Sequence, residues 1–147
     1  MHTGLLHTHS SLRYIVLLLL VIVIVKSLLG LLNKKSYTAL DNKFSLWLLI
    51  ATHLQLLVGA VLYFVSPFVQ FSGSTMKDAD LRYWTVEHNF MMILAIVLIT
   101  IARISHKKLS TDIAKHKRLF ILNTIALLII VIAILYSGRG LIIPVRA

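Results

Sequence analysis

Four apolar runs, each more than 20 residues long, constrain this chain more than any other feature of its sequence. They read LRYIVLLLLVIVIVKSLLGLL over 12–32, FSLWLLIATHLQLLVGAVLYFVSPF over 44–68, YWTVEHNFMMILAIVLITIARI over 83–104 and RLFILNTIALLIIVIAILYSG over 118–138. A helix crosses a hydrocarbon core of about 30 Å with about 20 such residues. Many positions are Ile or Val, which in short segments would suggest buried strands, but runs of this length read as helices. In lipid the helix is also the conformation that satisfies every backbone group within the segment. Composition agrees. Of 147 residues 59% are hydrophobic and 14% charged, whereas a soluble domain carries roughly 25% charged residues. The four runs and their short connections use the whole length, so one transmembrane domain over 1–147 is expected. The first run lacks the basic n-region and small-residue cleavage site of a signal peptide and is too long for an h-region, so it counts as a span.

The lysines and arginines give the bundle a direction. One side collects Lys26, Lys34, Lys35, Lys43, Arg103, Lys107, Lys108, Lys115, Lys117 and Arg118 against the acids Asp41 and Asp112. The opposite side has Arg13, Lys77, Arg82, Arg139 and Arg146 against Asp78, Asp80 and Glu87. The positive-inside rule places the 33–43 and 105–117 loops in the cytoplasm and both termini outside. The expected fold is thus all-α: an integral membrane four-helix bundle. The net charge of +10 follows from this topology and from anionic lipid, without nucleic acid as a partner. Trp47, Tyr63, Tyr83, Trp84 and Tyr136 fall near span ends, as interfacial aromatics do.

Cysteine is absent, which excludes thiolate metal sites, iron–sulfur clusters and the C-x-x-C-H attachment of a c-type haem. No phosphate-binding loop, dinucleotide fingerprint, H-E-x-x-H or G-x-S-x-G motif occurs. Chemistry therefore rests on polar groups at membrane depth, which are expensive and commonly functional. His53 lies six residues past Trp47, about 9 Å into the second span. Its structural alternative is a packing imidazole bonded to a neighbouring helix. His88 follows Trp84 by four residues, on the same helical face and about 6 Å inside the outer boundary. With Glu87 and Asn89 it either begins the helix as a polar cluster or forms part of a site. His7 and His9 are two residues apart, so only one of them can face the bundle interior, and His9 shares a face with Arg13. If Lys26 marks the inner boundary, the first span begins near Gly4 and His9 matches the depth of His88. If Lys34 marks it, His9 lies outside the core.

His106 and His116 fall in the basic segment ISHKKLSTDIAKHKR and are expected on a solvated loop, His116 being the nearer to a span. Met91 and Met92 read as core filler. Gln55 and Gly59 read as a close helix contact opposite His53, and Asn123 and Thr124 as cross-helix hydrogen-bonding groups.

Histidines projecting from facing helices of a bundle can build a haem site. Haem b needs imidazoles at one depth, an apolar slot and cations near its propionates. With Lys26 as the inner boundary, His9 and His88 fit the depth requirement, and Arg13, Arg82 and Arg139 lie on the same side. His53 is about 13 Å deeper than His88, so it implies a second haem, with His116 the expected partner, or a different role. The segments LLHTHSSLRY, THLQLLVGAVLY and DLRYWTVEHNFMM resemble those of the small four-helix bacterial membrane proteins catalogued as cytochrome b-like, over nearly the whole chain. That resemblance implies haem b and electron transfer, with His9 (or His7), His53 and His88 as candidate ligands of the haem iron. The additional spans of larger respiratory cytochromes are missing, so an electron-carrying or haem-anchoring subunit is expected rather than a stand-alone enzyme, with quinone or other redox membrane subunits as partners. Two other classes stand beside it: a non-redox subunit that stabilises a larger complex, and a proton or metal carrier using His53 and Glu87. Carriers commonly show repeats or broken helices, and neither is visible here.

Overall fold

The computed structural model describes residues 2–65, 82 and 86–136. Four helices are found among the described residues: α1, His2–Leu32; α2, Ala39–Val65; α3, His88–His106; and α4, Asp112–Tyr136. No strand occurs among the described residues. All four are long and apolar enough to cross a membrane. Part of the expected third span, 83–85, and the ends of the second and fourth lie outside the described residues.

The helices begin and end where the sequence supplies caps. Thr38 Oγ1 accepts the Asp41 N–H at 3.2 Å while the Thr38 N–H donates to Asp41 Oδ2 at 2.9 Å, a reciprocal box that starts α2. Thr111 Oγ1 accepts the Ala114 N–H and starts α4. This cap explains why α4 begins six residues before its apolar run, at Asp112 rather than at 118. At the end of α1 the Lys35 N–H reaches back to the Gly30 carbonyl at 3.0 Å, closing the helix with Lys34 at φ 52°. A lysine in this left-handed conformation costs about 1 kcal/mol that glycine would avoid.

Going round the bundle, α1 packs on α2 and α4, and α3 packs on α4 and only lightly on α2. Hence α1 and α3 face each other across the diagonal. One buried seam runs along each helix at alternating spacings of three and four, the pattern that keeps a stripe facing neighbours in a left-handed bundle. On α4 the seam is His116, Leu119, Asn123, Ala126, Ile130 and Ala133, all buried. On α3 it is His88, Met92, Ala95, Ile99, Ala102 and His106, with Ala95, Ile99, Ala102 and His106 fully buried. Ala95 and Ala102 on α3 and Ala126 and Ala133 on α4 are small enough to bring these backbones close. The middle of the bundle is a dry layer around Leu20, Val23, Leu48, Ile99 and Ile130. Its outside is covered by large apolar side chains, among them Leu18, Leu57, Phe64, Phe90, Leu128 and Leu135.

Candidate functional site

Polar groups gather at the two ends of the bundle, separated along α3 by about 27 Å of helix between His88 and His106. At the end where α1 begins, the α1 seam passes through Leu6, His9, Arg13 and Val16, and the α2 seam through Thr52, Gln55 and Gly59. His9 and His88 meet here across the α1–α3 diagonal, with ring centroids 6.3 Å apart and planes inclined at 71°. α1 is helical from His2 to Leu32, and His9 lies well inside it. His7, two residues away, is exposed.

Gln55 and Gly59 hold His9 from α2. Gln55 Nε2 donates to the His9 carbonyl at 2.9 Å. A Cβ on Gly59 would stand 3.2 Å from His9 Cε1 and 3.6 Å from Nδ1, so the glycine leaves just the space that the imidazole occupies. The polar atoms around this contact are incompletely paired. Among the described residues His9 Nδ1, Ser10 Oγ, Arg13 Nε and Gln55 Oε1 are all buried without a hydrogen-bond partner. Such groups are rare in folded proteins and call for a water, ion or ligand. Arg13 turns its guanidinium over the Tyr14 ring, 4.9 Å from the centroid, and donates to the Tyr14 hydroxyl at 3.0 Å. Arg82 pairs with Glu87 at 2.5 Å. Arg139 lies outside the described residues.

His53 is placed differently from the expectation that it faces a bundle site. Its side chain is exposed on the outer face of α2, and Nδ1–H donates to the Leu49 carbonyl of its own helix at 2.8 Å. It approaches neither His9 nor His88, and the three histidines do not converge. No group of three or more His, Asp or Glu side chains suited to a metal ion occurs among the described residues. The pairing of His53 with His116 also fails, because His116 is buried at the other end of the bundle. Glu87 is engaged by Arg82, and His53 faces outward.

The other end corrects the sequence expectation most. His106 and His116 are not on a solvated loop: they are 1% and 2% exposed, the last residue of α3 and the second turn of α4. His106 Nδ1–H donates to the Arg103 carbonyl at 2.6 Å, leaving Nε2 to accept from the Tyr37 hydroxyl at 2.8 Å. Tyr37 lies between the two imidazoles, 5.1 Å from the His106 centroid and 5.6 Å from that of His116. His116 Nε2–H donates to the Lys35 carbonyl at 3.1 Å, and its ring covers Gly30 so closely that a Cβ there would lie 2.5 Å away. Arg103, also buried, donates to the carbonyl and side-chain oxygens of Asn42 at 3.0 and 2.7 Å. Lys26 and Asp41 join α1 to α2 at 3.2 Å. These bonds bind the α1–α2 connection to α3 and α4, and their histidine nitrogens are largely spent on protein partners. Deeper in, Asn123 Oδ1 and Thr124 Oγ1 are buried without hydrogen-bond partners among the described residues, so the cross-helix bonds expected of them are not made there by these atoms.

Comparison with protein-family models, with curated proteins and with solved structures finds no match to the chain.

Proposed function

We propose that the chain is a small multi-pass membrane cytochrome that holds haem b between His9 and His88, with the termini on the outer face of a bacterial inner membrane and the basic loops in the cytoplasm. The observation that carries this reading is the His9–His88 pair. Two imidazole nitrogens on one metal, each at about 2 Å, set ring centroids roughly 6 Å apart, and the observed spacing is 6.3 Å. Three further features support the site as a place for such a group. The imidazoles come from diagonal helices at one level, Gly59 clears space beside His9, and several buried polar atoms there lack partners. Arg13 and Arg82 supply cations at the same end. The apolar exterior suits lipid contact, and the ten cationic residues gathered at one end suit the inner leaflet.

When bound, haem supplies one-electron redox chemistry at its iron. The chain's residues do the positioning. His9 and His88 would hold the group through their imidazoles, Gln55 fixes the turn that carries His9, and the guanidinium of Arg13 would neutralise its carboxylate charge. His53 takes no part. The function is electron transfer to or from other membrane redox components.

The test is haem content in detergent-purified variants. His9→Ala and His88→Ala should each lose most of the bound haem or convert it from a low-spin to a high-spin spectrum, while His53→Ala should leave both content and spectrum unchanged. Full haem content with an unaltered spectrum in either His9→Ala or His88→Ala would remove that residue from the site.

A further inference from the structure

We propose that a groove on the outer face of α2 and α3 binds the hydroxyl-bearing ring of a lipid-soluble phenol or hydroquinone, with His53 Nε2 as its hydrogen-bond acceptor. This rests on the membrane placement proposed above but not on bound haem.

The groove follows the α2–α3 seam, where the helices touch least. Its volume is about 270 Å³, and it is lined by His53, Leu56, Ile93, Val97, Thr100 and Ile101 among others. The polar chemistry of its wall is narrowly defined. A backbone carbonyl can only accept, so the bond from His53 Nδ1 to the Leu49 carbonyl places the proton on Nδ1. In the neutral ring Nε2 is then a bare lone pair. The Thr100 hydroxyl donates to the Ile96 carbonyl at 2.7 Å and is taken up within its own helix. At membrane depth there is no bulk water to satisfy Nε2, and ionisable side chains in spans nearly always face the bundle interior or a cavity. His53 faces a groove instead. What fits is therefore a molecule that dissolves in lipid and brings one donor.

Two features narrow the class. Phenolic hydroxyls have a pKa of about 10, far below aliphatic alcohols, and are the stronger donors to an imidazole lone pair. The groove is smaller than the roughly 300–1,000 Å³ of sites that enclose a whole drug-sized ligand, so it takes one ring and leaves an alkyl or isoprenoid tail in the bilayer. Ile93, Val97 and Ile101 are β-branched and stiff at χ1, giving the ring fixed walls.

The experiment uses the full chain in lipid nanodiscs with three redox-inert probes: 4-decylphenol, its methyl ether and decanol. Binding is followed by the ¹⁵N shift of His53 Nε2 and by titration. The phenol should bind about tenfold more tightly than the ether, the factor expected for one hydrogen bond, and more tightly than decanol. His53→Phe keeps a ring at an exposed position and should abolish the preference. Equal binding of phenol and ether, persistence of the preference in His53→Phe, or binding of decanol as tight as that of the phenol would each overturn the proposal. So would a dimer in which His53 of one copy is covered by the other. A chain that fails to enter nanodiscs would instead contradict the membrane placement, and haem loss alone would leave this site intact.

Discussion

Gly30 is the residue whose replacement separates two physical effects most cleanly. In an exposed helix glycine to alanine gains about 1 kcal/mol. Here the new methyl would meet the His116 ring at 2.5 Å, and overpacking of this kind costs typically about 1–3 kcal/mol. Gly30→Ala is therefore expected to destabilise the native chain but to stabilise a His116→Ala background, as read by denaturant unfolding in micelles. The same sign in both backgrounds would contradict the contact. Tyr37 offers a second check. Burial pushes its phenol from the ordinary 10.0 up to about 12, with Asp41 adding to the shift and Arg103 opposing it. A raised folded value means that its stabilisation is complete below about pH 10 and is lost as pH rises through about 12. Spectrophotometric titration should show one late tyrosinate step that Tyr37→Phe removes. Removing that hydroxyl also strands buried His106 Nε2, at a cost of about 1–3 kcal/mol near neutral pH.

At the scale of elements, the four helices were legible because long apolar runs form helices, and each is long and apolar enough to cross a membrane. Their ends were not, because helix formation continues past the apolar core into capped polar turns such as 112–117. The histidine clusters were legible by halves. His9 and His88 stood out through depth, and helical phase showed that only one of His7 and His9 could face the interior without saying which. His106 and His116 were concealed by their lysine neighbours at 107, 108, 115 and 117, which make local composition read as loop. The alternating three-and-four spacing carries the missing signal. Extended one turn from Ala102 it reaches His106, and one turn back from Leu119 it reaches His116. The same phase leaves His53 off the α2 seam of Ser45, Leu48, Thr52, Gln55 and Gly59, so its outward position was available from spacing although depth suggested otherwise. The α1–α2 contact at Gly59 yields a prediction of its own. Gly59→Leu should displace the His9 ring and sharply reduce haem binding while helicity by circular dichroism stays at the wild-type level. Unchanged haem content would show that His9 does not need that space.

As a whole, the molecule sets a polar layer at each end of an apolar barrel, and the two layers do different work. One, at the ends of the loops, is closely hydrogen-bonded and holds the connections. The other, among the described residues, leaves buried polar atoms without hydrogen-bond partners beside the neighbouring His9 and His88 imidazoles. The proposed topology, read from the charge asymmetry, sets the closely bonded layer toward the cytoplasm. Ser36 is exposed on the α1–α2 connection of a chain that has no cysteine of its own. Ser36→Cys should therefore react with a membrane-impermeant maleimide only from the cytoplasmic side. Reaction in intact cells would reverse the topology. The central claim is that the incompletely paired layer is a haem site. Its most direct measurement is the dithionite-reduced minus oxidised spectrum of the full chain purified from haem-replete cells. The account predicts a Soret shift and a sharp α-band of low-spin haem b, stoichiometric with the chain. A protein that purifies folded and colourless, with no difference bands after haem is added back, would contradict it.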